Sequence, residues 1–256
     1  MLSEKELNRQ SGKSRRISKF DRPELAEPVT VRVIFTKTGN LQFFSHLDLQ
    51  RTWQRVLVRA SIPMWYTKGF NPHSKIVFGI PLPVGSESRC EMVDLRIDRA
   101  IGCEEIRDQL NAELTDEMQV LDVYFPKTKY TDVAYAEYNI TVHTKNASPE
   151  LASNINEIFA KGAEPIVMSK RSKSGDKDIN ILDLTRSVDA EYDPATECLN
   201  IKAVLAAGSS ENLNPEYLIT AMKQKFGVLP EGGAPNEEWY RILRVGYMTA
   251  SGETFR

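Results

Sequence analysis

Val29, Val31, Val33 and Phe35 recur at every second position, which marks a strand with one committed apolar face. Ser45 then opens a helix, with Asp48 three residues on in a capping-box arrangement. Leu49, Trp53, Val56, Leu57 and Ala60 fall on one stripe of that helix. Strands are expected over 62–67, 75–80 and 91–97, the last with Val93, Leu95 and Ile97 on one side. A second helix places Ile106, Leu110 and Leu114 about a turn apart, and 118–125 closes as a strand.

The second half repeats this order. Tyr138, Ile140 and Val142 alternate, and Ser148 with Pro149 supplies an N-cap and a first-turn proline for a helix carrying Leu151, Ile155, Ile158 and Phe159. Stretches 165–170, 179–182 and 199–205 read as strands. Asn214 and Pro215 cap a further helix, Gly227 sits at its C′ position, and 240–249 is the final strand. The predicted fold is α+β, a tandem of ferredoxin-like (βαββαβ) subdomains. The boundaries are 1–28 for a polar, flexible leader, 29–126 for the first subdomain, 127–134 for a linker and 135–256 for the second. The leader's Lys13, Arg15, Arg16, Lys19 and Arg22 offer a basic arm as the alternative, but interspersed acids dilute it.

Composition narrows the class. A net charge of −2 over 256 residues argues against wrapping duplex nucleic acid, while leaving room for a local basic patch. The chain lacks a long apolar run and an apolar signal core, so the expected setting is the cytoplasm with no membrane contact. Cys90, Cys103 and Cys198 are scattered without a CxxC pair. Neither a structural zinc site nor an iron–sulfur cluster fits that spacing, and inert thiols are expected. No motif supports a bound nucleotide, and no cofactor is expected.

Candidate chemistry gathers in 36–85. This stretch holds His46 and His73, and the Gly/Pro-bounded segments around 69–73 and 81–85 look like rigidly held loops, which present side chains more often than they merely connect. Ser45 and Asp48 suit a capping box better than a hydrolytic triad. The ligand-binding candidates are His46, Asp48, Arg51, Lys68, Asn71 and His73, expected to line one cleft bordered by the 81–85 turn. A metal site at His46, His73 and Asp48 would need a convergence that spacing does not indicate, and none is expected. A basic hairpin tip supplies anion or RNA candidates: Lys170, Arg171, Lys173, Lys177 and Arg186.

Through FSHLDLQR, KGFNPHSKI and GIPLPVG, and again over 170–186, the chain resembles the radical-SAM-associated proteins of bacteria, a domain of unknown function. The resemblance covers His46, Asp48, Asn71, Pro72 and His73 residue by residue. It implies an accessory or substrate-binding protein, non-catalytic, acting with a radical-SAM enzyme on an RNA or ribosome-related substrate. The chain is not itself such an enzyme, lacking the cysteines for a cluster. Two alternatives stand beside this: an RNA-processing endoribonuclease built on paired ferredoxin-like domains, with His46 or His73 as acid or base and Lys68 as stabiliser, or a plain protein-interaction module.

Overall fold

The computed structural model describes residues 21–172 and 175–256. Among these residues the chain is α+β, with four α-helices accompanying one large mixed sheet and a separate hairpin. The first half runs β1 (Glu24–Lys37), α1 (His46–Arg59), β2 (Ile76–Phe78), β3 (Ser86–Arg99), α2 (Cys103–Asn111) and β4 (Val120–Tyr124). β4, β1, β3 and β2 lie side by side in that order, every pairing antiparallel. Val31, Val33 and Phe35 on β1 and Val93, Leu95 and Ile97 on β3 are buried in one cluster with the α1 stripe of Leu49, Trp53, Val56 and Leu57. Phe35 meets Trp53 edge-on at 4.8 Å.

The second half runs β5 (Val133–His143), α3 (Pro149–Ile158), β6 (Val167–Ser172), β7 (Gly175–Asn180), β8 (Thr185–Asp193), β9 (Cys198–Ala206), α4 (Glu216–Phe226) and β10 (Trp239–Thr249). Its order, β10-β5-β9-β8, is again antiparallel throughout, while β6 and β7 pair only with each other. The caps behave as the sequence indicates. Ser148 Oγ accepts from Leu151 N–H, Asn214 Oδ1 accepts from Glu216 N–H, and Gly227 closes α4 with φ at 64°.

The two halves share one sheet. β3 uses one edge for β1; on the other edge it pairs with β2 over Val93–Leu95 and with β10 over Ser86–Ser88, the latter in parallel. The 127–134 segment is packed against this sheet. Arg32, 1% exposed, forms a two-pronged ion pair with Asp94 (2.7 and 3.0 Å), donates to Thr128 and stacks on Tyr130 at 4.2 Å. Residues 21–28 also belong to the fold. Glu24 pairs with Arg99 in the sheet, and the buried Arg22 forms an ion pair with Glu105. The rest of the expected leader, 1–20, lies outside the described residues.

Two expected strands shift, and one strand was not expected. Over 62–67 only isolated bridges form, Met64 to Ile97 and Tyr66 to Ser74, because Pro63 has no N–H to give a ladder and Ser61 turns left-handed at φ 57°. The stretch expected at 179–182 is the end of β7 followed by a 3-10 turn, Ile181–Leu184. The strand that completes the second half is instead β8, whose apolar residues Val188, Ala190 and Tyr192 are thin among Arg186, Asp189, Glu191 and Asp193. Among the described residues, no helix is long and apolar enough to cross a membrane.

Candidate binding site at the junction of the two halves

The start of α1 is fully committed to its own cap. Ser45 Oγ accepts from Asp48 N–H at 3.2 Å and donates to Asp48 Oδ2 at 2.6 Å, and Ser45 N–H reaches the same carboxylate at 3.3 Å. These bonds from Ser45 hold the Asp48 carboxyl below its usual range. A hydroxyl and a carboxylate so engaged cap a helix and do not form a nucleophile.

His46, the first residue of α1, is exposed and sets its ring edge-on to Phe78 at 5.3 Å. It lines a crevice of about 10 Å³ together with Lys37, Phe44, Phe78, Leu82 and Glu91, room for a single water-sized group. Ile80, Pro81 and Leu82 border the same crevice. Asp48, Asn71 and His73 do not line it.

Lys37 and Glu91 of the crevice lining are buried charges, and Glu91 is paired with a third, Arg244. Lys37 is 2% exposed, Glu91 5% and Arg244 0%. Glu91 takes its ion pair from Arg244, which also donates to the carbonyls of Ile80 (3.1 Å) and Pro81 (3.2 Å). One arginine therefore fixes the proline-bearing turn of the first half onto β10 of the second. Lys37 Nζ donates to Gln42 O at 3.3 Å and has no ion pair within 4.0 Å among the described residues. Burial pulls the Lys37 ammonium below its usual range, with Glu91 opposing. Cys90 beside them is pushed up to about 12 by burial, an inert thiol.

His73 lies in a different feature, the loop between α1 and β2. Thr67 N–H donates to His73 O at 3.0 Å, His73 N–H donates to Thr67 Oγ1, and His73 Nδ1 lies 3.2 Å from both Thr67 Oγ1 and Asn71 O. These bonds pinch the loop so that Lys68, Gly69, Phe70 and Asn71 stand in solvent, Gly69 at φ 138°. Phe70 is fully exposed. Arg51 is exposed on α1.

In the second half, Lys170 lies opposite Lys177 in the β6–β7 hairpin. Lys170 Nζ is tied to Asn212 at 2.7 and 3.0 Å, while Lys177 is exposed between Asp176 and Asp178. Arg171 pairs in register with Asp176, and Lys173 falls outside the described residues. Arg186 stacks over Tyr135 at 4.9 Å. A wider cleft of about 300 Å³ separates residues 81–83 from 212–215, with Tyr138 in its wall. Among the described residues, no group of three or more His, Cys, Asp or Glu side chains could hold a metal ion.

Sequence reasoning passed over Lys37, Glu91 and Arg244. The available signal was a charge at an inward position of an otherwise apolar alternation: Lys37 after Val31, Val33 and Phe35, and Glu91 before Val93, Leu95 and Ile97. Such positions demand partners, because an uncompensated buried charge is costly.

A family described as an uncharacterized protein conserved in bacteria (DUF2344) matches residues 30–215. No curated protein matches. Among solved structures, DyPB from Rhodococcus jostii RHA1 (crystal form 2) is similar at 12% identity over 85% of this chain and 91% of that one, with a TM-score of 0.21. That score carries no argument.

Proposed function

Because this chain belongs to DUF2344, an uncharacterized bacterial family that brings no activity with it, we propose its function from its surface: it is a substrate-binding accessory protein that holds single-stranded RNA at the loop between α1 and β2. The observation that carries this is the exposed aromatic tip. Phe70 stands fully in solvent beside Lys68, and Phe43 and Leu47 are exposed at the other end of the helix, around its start. From Phe43 to Gly85 the sequence has Arg51, Arg55, Arg59, Lys68 and Lys75 against Asp48 alone. Exposed rings among cations are what a single strand needs, since bases stack on the rings and phosphates meet the charges. A folded protein gains nothing for its own stability from a solvent-facing phenylalanine.

The enzyme it serves is of the radical-SAM type, a reading supported by the FSHLDLQR, KGFNPHSKI and GIPLPVG resemblance. The ferredoxin-like description of each half is part of the same proposal. Its support is the order β4-β1-β3-β2 repeated as β10-β5-β9-β8, antiparallel in both. Incubating the purified chain with total RNA tests the function. Retention of intact RNA is expected. Cleavage would replace the reading with an endoribonuclease, and neither outcome would leave a protein-interaction module.

A further inference from the structure

Both ends of the large sheet are closed in the same way, by two different helices. Among the described residues, β4 and β8 end the strand order, and an end strand turns every second N–H and C=O away from its neighbour. On β4 the ladder to β1 runs through Gln119, which bonds to Thr36. The N–H and C=O of Val120 go the other way, to Asn111, the last residue of α2. Asn111 Oδ1 accepts from Val120 N–H at 2.7 Å, and Asn111 Nδ2 donates to Val120 O at 3.0 Å. On β8, Asn156 of α3 treats Ala190 alike, accepting from its N–H at 2.7 Å and donating to its carbonyl at 2.9 Å. A carboxamide so placed repeats the two bonds that facing residues exchange across an antiparallel ladder. Asp has no donor for this and Leu has neither group.

The two ends differ in what else protects them. β8 carries exposed Arg186, Asp189 and Glu191, charges that resist a second strand. β4 reads VLDVY and is followed by Phe125; its one charge, Asp122, is taken by Arg256, and Leu121 and Phe125 are exposed. A short run of β-branched and aromatic residues with little free charge is the kind that pairs with a copy of itself.

We propose that Asn111 is an edge guard: its carboxamide occupies the place of a further strand beside β4 and so keeps two copies of this chain from joining their sheets. Opening that edge gives each chain one new pairing surface. Two β4 strands then meet antiparallel about a two-fold axis, which makes a closed dimer and nothing longer.

The test is sedimentation velocity of the full chain over a concentration series. Wild type should keep one mass throughout. Asn111→Leu, close in size but without donor or acceptor, should rise to about twice that mass and stop there. At the concentrations where it pairs, the Val120 amide should exchange its hydrogen more slowly than in the dilute variant, since a carbonyl of the second copy then takes the place of Asn111. Should Asn111→Leu fail to fold, Asn111→Ala removes both bonds without adding an apolar side chain, and the same doubling is expected. A folded variant that loses stability yet keeps the wild-type mass at every concentration overturns the proposal, because Asn111 would then serve only to satisfy Val120. A doubled mass with Val120 exchanging as fast as in the dilute variant also overturns it, because the contact would lie elsewhere. RNA does not enter these readouts, so this inference and the RNA reading fail separately.

Discussion

The connection from the first helix to the second strand is long in both halves, and its chemistry differs. Between α1 and β2 the chain forms a pinched loop whose tip shows Lys68, Phe70 and Asn71. At the equivalent place between α3 and β8 it forms the β6–β7 hairpin, where Lys170 is tied down by Asn212 and Lys177 is flanked by Asp176 and Asp178. The strands around both are in the same order, so the sheet does not dictate what the connection presents. A connection outside the ladder is free of register, and side chains there answer to solvent and ligands rather than to packing. The first tip has an exposed ring beside one cation, Lys68. The described part of the second has mixed charge and no aromatic residue.

The largest effect is expected where the halves are held together. Glu91→Ala leaves Arg244 buried without its carboxylate and should cost about 3–5 kcal/mol, read as a lower urea midpoint. The joint change Glu91→Leu with Arg244→Met should recover much of that loss, since an apolar pair has no charge to strand. Equal losses in the single and joint variants would mean the ion pair is not what the seam depends on.

A smaller loss is expected at the cap that presents His46. Ser45→Ala should cost about 1 kcal/mol. Because Ser45 lowers the folded-state pKa of Asp48, the cap's contribution is present above the ordinary carboxylate range and is lost as pH falls through that lowered value. The stability gap between wild type and variant should therefore narrow on acidification. A gap that widens instead would contradict the hydrogen-bond assignment.

The hairpin gives the smallest effect on stability. Lys170→Ser with Lys177→Ser should change unfolding by no more than about 0.5 kcal/mol. If these cations meet phosphates, the RNA salt slope should fall by about 0.7 for each phosphate that is no longer neutralised. An unchanged slope would leave RNA binding to the first half alone.

Much of this fold was legible from the sequence, for identifiable reasons. α1 announced itself through the Ser45–Asp48 box and the Leu49, Trp53, Val56 and Leu57 stripe, and β1 through strict alternation. β8 was illegible because three modest apolar residues among charges make a weak period-two signal. The β3–β10 junction was illegible because alternation reports which face of a strand is buried, not which strand lies along its edge. The site divided in the same way. His46 was singled out by residue type and loop context. Lys37 was not, because its setting is made by Glu91 and by Arg244, the latter remote in sequence and brought near only by that junction.

The central claim is that the α1–β2 tip is where RNA is held. The direct measurement is filter binding of a single-stranded RNA oligonucleotide to wild type and to Phe70→Ala with Lys68→Ser, across a salt series. The variant should unfold at the same urea concentration as wild type, because both side chains are in solvent. Its affinity should drop by about 1–3 kcal/mol for each base that loses its stacking partner, with a salt slope shallower by about 0.7 for one phosphate left without its cation. An affinity and a slope both equal to wild type would contradict the account.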